Sequence, residues 1–569
     1  MRTITALTGI LLLVAASLVA CGNAATAVPT LLPTVTAEPM QTATPTATLV
    51  PTFTATASPT ATATATPTAT ATPLPAALWV HPAVPDALNA AVVQENEVRV
   101  ATTADESEVQ LSLSDRLTSA EWVLVPVVPF PSFADDVAWD DIVAFWHGDA
   151  NSLSYLSNDS QVPTLFCTKP VLAALSELLG TPETEAPIQV VAAETIVDDA
   201  WAARPASWAI VPFDELEPRW KALHLNGVSV LERGLSQKEY PLRLCFALVG
   251  ARASEVKLPS FTNRDENKMT VLVMTGVTAL VRGTAQRMEE QGVLYPEKYV
   301  GDIMRAADIA HVSNEIPFAE DCPPPTMSQE SLVFCSAPKY IELLQEIGTD
   351  VVELTGNHFE DWGADATKMT VEMYDKEGWP HYGGGIDLED ARKPLVITDH
   401  GNSLSFMGCN PVGPEFAWAG EDYPGAAPCD FEYMHDQLRQ LKETVNVPIV
   451  TWQYWEFYFY EPTPQQQEDF RGMIDAGAKI VSGSQAHHPQ AFEFYNGGFI
   501  HYGLGNFFFD QMQALGTRQE CIDRHIIYDG RHISTEVLTF MLEDYAQPRP
   551  MTTEERRELL VSLFQASGW

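Results

Sequence analysis

Along the chain, short apolar runs that end in polar clusters alternate with amphipathic stretches of helix length. The later runs are MTVLVMTG (269–276), DIAHVSNE (308–315), TDVVELTGNH (349–358), LSFMGCN (404–410), VPIVTWQ (447–453), AKIVSGSQAHH (478–488) and FIHYGLGN (499–506). Between them lie YVGDIMRAA (299–307), KYIELLQEIG (339–348), DATKMTVEMYDKEG (365–378), YMHDQLRQLKETV (433–445) and QQQEDFRGMIDAG (465–477). Repeated strand–loop–helix order predicts an α/β unit whose sheet carries helices on its faces. In such sheets functional groups gather beyond the carboxyl ends of the strands. The pattern puts Asn314-Glu315, Asn357-His358 and His487-His488 there.

An earlier region, 77–257, alternates on a smaller scale. WVLVPVVPF (122–130), IQVVAA (188–193) and SWAIVPFDEL (207–216) read as strands, and DDIVAFWHG (140–148) and LAALSELLG (172–180) as amphipathic helices. A polar, aperiodic stretch near 253–269 separates this smaller α/β domain from the larger one, 268–512. The remainder, 513–569, is expected to pack on the larger domain. It begins as an extended pair about Tyr528-Asp529-Gly530 and ends in a helix opened by a capping box near Thr552. Arg524-His525 and Arg531-His532 either line the site or pair locally with acids.

The first residues change the picture of where the protein works. Met1-Arg2 and the apolar stretch Ile4 to Ala20 read as a signal peptide over 1–20. The ending Leu18-Val19-Ala20-Cys21-Gly22 resembles a bacterial lipobox, which implies lipidation of Cys21 and an extracytoplasmic protein held to the membrane by that lipid; the alternative is an ordinary secretory signal with an incidental cysteine. Residues 21–76 are dominated by Ala, Thr and Pro, a composition that cannot bury enough apolar surface to fold. Such a stalk is an extended spacer with a reach on the order of 150 Å. No other apolar run is long enough to span a membrane.

Charge narrows the partners. The chain of 569 residues has 33 Lys+Arg against 75 Asp+Glu, a formal charge of −42. Phosphate backbones and anionic lipid headgroups are repelled by such a surface, so nucleic acid is excluded as a partner. Of the 8 cysteines, Cys322 and Cys335 flank one Pro-rich loop and Cys409 and Cys429 another. Both pairs read as local disulfides of an oxidising compartment, and Cys167 and Cys245 are a third potential pair.

Glu, Asn and His donors converging from separate strand ends suit a hard or borderline divalent ion, which polarises a phosphoryl or acyl oxygen and activates water. Each residue alone has a structural explanation: a turn for Asn357-His358, an exposed carboxylate for Glu315, a hydrogen-bonded imidazole for His487.

ADIAHVSNEIPF (307–318), DVVELTGNHFEDWG (350–363), HYGGGIDLEDARKP (381–394) and GSQAHHPQAFEFYNGGFIHYGLGNFFFD (483–510) resemble, in this order, the bacterial capsule-synthesis CapA family, also called the poly-γ-glutamate biosynthesis proteins and related to calcineurin-like metallophosphoesterases. The resemblance implies a two-sheet sandwich with flanking helices. It also implies a divalent metal (Mn, Mg or Zn) on Glu315, Asn357, His358 and His487, with His358 as ligand or general acid. Asp361, Gln453, Gln485, His488 and Asn506 are the implied neighbours. The chain departs from the family where it has Val277 in place of a metal-binding Asp, Gln453 in place of a His, and Ser484 or Gln485 in place of another His. The 77–257 region resembles periplasmic substrate-binding proteins of the phosphate-binding sort. The implied role is synthesis or processing of an envelope polymer such as polyglutamate or capsule polysaccharide, as a metal-dependent hydrolase with a reduced site; the alternative is a non-catalytic polymer- or solute-binding lipoprotein. A chain at −42 meets polyglutamate unfavourably at long range unless a cation bridges them.

Overall fold

A computed structural model describes residues 74–235, 240–327 and 331–569. The signal segment, Cys21 and the stalk up to residue 73 lie outside the described residues. The described residues from 74 to 569 form one compact unit. Its first sheet orders Val98–Val100, Ala76–Val80, Val109–Ser114, Arg243–Val249, Glu121–Pro129, Ser207–Pro212, Thr164–Cys167 and Ile188–Val190, with parallel and antiparallel neighbours mixed. The 77–257 pattern is thus an α/β layer, with helices Trp139–Trp146 and Lys169–Leu179 burying Ile142, Phe145, Val171 and Leu175. Ala76, the last residue expected in the stalk, opens its first strand.

The later region is a sandwich of two sheets. One orders His381–Tyr382, Val351–Glu353, Ile309–Asn314, Met269–Thr278, Gln519–Tyr528, Arg531–Glu543 and Gln547–Pro550, with Asn506–Phe508 beside Met269–Thr278. The other orders Leu395–Asp399, Asn402–Cys409, Val447–Trp452, Ile480–Gly483, Gly498–His501 and Phe492–Tyr495. Leu272, Met274 and Ile309 of one sheet meet Phe406, Ile449 and Phe499 of the other. The Met269–Thr278 strand is buried along its whole length, which explains its unbroken apolar run.

Three expectations need correction. The 513–569 segment does more than pack on the sandwich: Gln519–Tyr528 pairs antiparallel with Met269–Thr278, inside the sheet. Cys167 and Cys245 are buried and unpaired, because the Glu121–Pro129 and Ser207–Pro212 strands lie between theirs. Three strand spacings of about 4.8 Å exceed the reach of a disulfide. A helix at Arg282–Gln291 was not marked by the pattern, since RGTAQRMEEQ is almost wholly polar. The other two pairs do form, Cys322–Cys335 and Cys409–Cys429. No described helix is long and apolar enough to cross a membrane.

The two α/β parts are joined by aromatic packing and arginine clamps. Phe130 sits edge-on to Phe492, Phe494 and Trp569, with ring centroids 5.2 to 5.9 Å apart. Phe213 meets Tyr528 at 5.0 Å. Arg524 donates to the Leu231 carbonyl at 3.1 Å and Arg556 pairs with Asp135 at 2.9 Å.

Candidate functional site

The candidate site is a largely buried cluster beyond the carboxyl ends of the central strands. Ile309–Asn314 delivers Glu315, which is buried, and the turn after Val351–Glu353 delivers Asn357 and His358. That turn needs Gly356: a Cβ there would come within 2.4 Å of the Glu315 carbonyl oxygen and 2.6 Å of its Cα. Glycine therefore lets the Asn-His turn rest on the Glu315 backbone. The second sheet contributes Gln453 after Val447–Trp452 and Gln485 after Ile480–Gly483.

These groups meet at the Gln453 amide. Its Nε2 donates to Glu315 Oε1 at 2.9 Å and Asn357 Oδ1 at 3.2 Å, and also to Gln485 Oε1. Ser484 Oγ donates to Gln453 Oε1 at 2.9 Å, fixing the amide orientation. The Glu315 carboxylate oxygen requires the facing atom of the Gln453 amide to be nitrogen.

The histidines are held from behind. His358 Nδ1 lies 2.7 Å from Asp361 Oδ2, which also accepts the Phe334 N–H at 2.8 Å. Burial opposes the charged imidazole, but the Asp361 hydrogen bond and the negative charges of Glu315, Asp361 and Glu456 outweigh it and raise the His358 pKa. His487 Nδ1 donates to Asn506 Oδ1 at 2.8 Å, and Asn506 Nδ2 donates to the Thr517 carbonyl at 2.9 Å. His487 has a left-handed backbone, φ 51°, a conformation costing about 1 kcal/mol for a non-glycine residue. Both histidines thus use Nδ1 for support.

They converge through an apolar wall rather than on one point. His358 packs on Phe334 at 4.7 Å and His487 on Phe509 at 5.1 Å. Phe334, Phe509, Ile316 and Val277 form one buried cluster. No hydrogen bond links His487 to Glu315 or His358 among the described residues. Asp361 and Asn506 are supporting neighbours. His488 does not join: its Nδ1 contacts the Pro489 carbonyl at 2.8 Å and its ring faces Tyr460 at 4.4 Å, away from the pocket. The Arg524 and Arg531 alternatives also resolve away from it. Arg524 pairs with Glu536, Arg531 donates to the Asp214 carbonyl, and His525 and His532 are turned into buried surroundings.

Arg282 was missed by sequence reasoning. Its guanidinium lies 5.2 Å from the Phe334 ring centre and 4.9 Å from that of Phe509, and Asp510 holds it. No local motif marks it; a cation after an apolar strand end is the only trace. Glu456 was missed too, although the segment QYWEFYFY (453–460), with its exposed Trp455 and Tyr458, stands out by its aromatic density.

The donor set does not fit a two-metal centre. It has one carboxylate, Val277 is an apolar wall residue, and the Gln453 N–H groups occupy the point where the oxygens of Glu315, Asn357 and Gln485 converge. A tight acidic and imidazole grouping does occur at the opposite ends of the strands, at Asp308, Asp399 and His400. There Arg233 donates to Asp308 at 2.8 Å and Nη2 lies 3.5 Å from His400 Nδ1, so a guanidinium already supplies the positive charge.

Residues 271–511 match the family model described as bacterial capsule synthesis protein PGA_cap. The capsule biosynthesis protein CapA of Bacillus anthracis is 24% identical over 293 residues, 51% of this chain and 71% of that protein. The PGA biosynthesis protein CapA of Bacillus subtilis (strain 168) is 26% identical over 245 residues, 42% of this chain and 64% of that protein. Among solved structures, a 5'-nucleotidase precursor from Thermus thermophilus aligns with 52% of this chain and 59% of its own at 13% identity, with a TM-score of 0.31. Across residues 271–511, the chain is similar to the bacterial capsule synthesis proteins.

Proposed function

We propose that this chain is an extracytoplasmic accessory protein of envelope-polymer synthesis, tethered by a lipid on Cys21, whose pocket binds an anionic segment of the polymer rather than hydrolysing it with two metals. The observation that carries this reading is the Gln453 amide, which holds Glu315, Asn357 and Gln485 together by hydrogen bonds. The cationic element of the pocket is His358, kept protonatable by Asp361 and the surrounding acids. An anion entering beside it meets the imidazole face opposite Nδ1. Capsule and PGA biosynthesis, the roles named for the two Bacillus relatives, make a polycarboxylate or capsule polysaccharide the natural ligand class. The 77–257 region, by its α/β layer, is proposed as a substrate-binding-type module.

The purified folded chain is tested for bound Mn, Mg and Zn and for phosphodiester turnover with each metal added. The expected result is no stoichiometric metal and no metal-dependent turnover, with polymer binding weakened about tenfold in His358→Ala. Stoichiometric metal lost in Glu315→Gln together with metal-dependent turnover would overturn it.

A further inference from the structure

In a chain with more than twice as many acids as bases, cations collect along the seam between the two α/β parts. Three adjoining hollows follow that seam. The first, of about 520 Å³, is walled by Arg204, Trp201 and Trp569. Trp201 and Trp569 also bound the second, of about 340 Å³, together with Arg219 and Arg471. Arg219 and Phe494 continue into the third, of about 470 Å³, which Lys479 and Arg531 line. Five Arg and Lys side chains thus face the hollows, against two carboxylates, Glu217 and Glu493.

The partners of these cations show which charge is left over. Glu217 is held by Arg219, which also pairs with Asp198 at 2.6 Å, and Glu493 is held by Arg471 at 2.7 Å. Lys479 is exposed and has no carboxylate partner among the described residues. Arg531 spends its guanidinium on the backbone carbonyls of Asp214 and Leu216, neutral acceptors that leave its charge uncompensated. Arg204 stacks on Trp201 with 3.9 Å to the ring centre, and its Nη1 is buried without an acceptor. A guanidinium N–H shut away from water without a partner is an open hydrogen-bonding position. Surplus cations therefore stand at both ends of the groove, with the Trp201, Phe494 and Trp569 rings between them.

We infer that this seam groove is an exosite for an extended polycarboxylate chain. Separated cations match a ligand that repeats its charge along its length; one small anion reaches only one end. Apolar ring faces between the charged ends suit the methylene or ring carbons between successive carboxylates. The groove also answers the long-range repulsion expected of a chain at −42: at physiological salt, charges beyond about 8 Å are screened, and the contacts that remain are with the groove's own cations. This exosite is separate from the Glu315 pocket and stands or falls independently of whether that pocket turns anything over.

The test is fluorescence anisotropy of labelled γ-linked glutamate oligomer with the full folded chain, with oligogalacturonate as a second arm and free glutamate at equal carboxylate concentration as a control. Lys479→Glu, an exposed change that removes no internal bond, is expected to weaken oligomer binding on the order of tenfold, and Arg204→Gln about fivefold. Thermal melts identify any variant that has not folded. Binding of oligogalacturonate instead, with the same dependence on Lys479 and Arg204, supports the polycarboxylate inference and assigns the source to an acidic polysaccharide. Binding unchanged by both substitutions, or no tighter than free glutamate, overturns it. Binding abolished by His358→Ala but indifferent to Lys479→Glu belongs to the pocket and also overturns the groove.

Discussion

At the strand ends, Gln453 shares its amide hydrogens among Glu315, Asn357 and Gln485. Between the two sheets a few strand positions away, His311 Nδ1, His501 Nε2, His525 Nε2 and Asp523 Oδ1 are buried without partners. Both regions place imidazoles in the interior of the same sandwich, yet their titration moves in opposite directions. His358 faces Asp361, Glu315 and Glu456, and its pKa rises. Burial pushes His311 down to about 3 and His532 to about 4. It pushes His525 well below the usual range, with His532, His501 and His311 adding to the effect. The difference teaches that depth does not decide whether a histidine keeps its charge; the sign of the charges facing it does. The strand-end region keeps an imidazole protonatable, and the interior region keeps its imidazoles neutral.

The largest break of this comparison is Asp523→Ala. His501 Nδ1 lies 2.7 Å from Asp523 Oδ2 with both side chains buried, so the variant leaves His501 unpaired at a cost of about 3–5 kcal/mol, read by urea denaturation. Next comes the double variant Cys322→Ser/Cys335→Ser. That disulfide closes the loop carrying Phe334, whose N–H binds Asp361 and whose ring carries His358. Its loss costs about 3 kcal/mol and should lower the His358 pKa, read by NMR titration of the imidazole. At the strand ends, Gln453→Leu strips Glu315 and Asn357 of their shared donor, an expected loss of about 2 kcal/mol in the same denaturation assay.

Two pH experiments sharpen the contrast. Of the interior histidines, His311, His525 and His532 have folded pKa values below the ordinary 6.5. Their contribution is therefore present above pH 6.5 and is lost as pH falls toward their folded values, since the unfolded chain takes up the protons first. The buried carboxyls Glu353 and Glu520, raised by burial, act in the reverse sense. The histidine part is thus the difference between the native chain and His525→Gln. Below pH 6.5 the native chain should lose about 1.4 kcal/mol per pH unit more than the variant. His358 behaves oppositely: its raised pKa gives stability below 6.5 that disappears as pH rises through the folded value. Asp361→Asn should flatten that alkaline loss, the smallest of these effects, because burial of the imidazole already offsets much of what the Asp361 hydrogen bond supplies.

Strands and helices were readable because their signals are local. The apolar run 269–276 became a strand buried on both faces, and the stretch 465–477 became the helix Pro464–Ala476 opened by a Thr463 cap. The two short cysteine spacings gave the two disulfides for the same reason. The third pairing failed because sheet order, not spacing, separates Cys167 from Cys245. In the site, Glu315 and His358 were legible from the loops that follow their strands. His488 was not separable from His487, since a left-handed backbone at one residue sends the two rings apart.

The sequence by itself determined the alternation of strands and helices, the likeness of 271–511 to capsule synthesis proteins, the acidic balance and the donor types gathered at the strand ends. Tertiary structure decided what those donors do. Gln453 and Glu315 are 138 residues apart, and only the meeting of two sheets places an amide where the oxygens converge. The same holds for the seam, where Arg204, Lys479 and Arg531, from elements of three different sheets, line adjoining hollows. Periodicity and turn chemistry act over a few residues and are written in the order of the chain. Charge compensation and hydrogen-bond satisfaction act through space, and depend on which distant strands the folded core brings side by side.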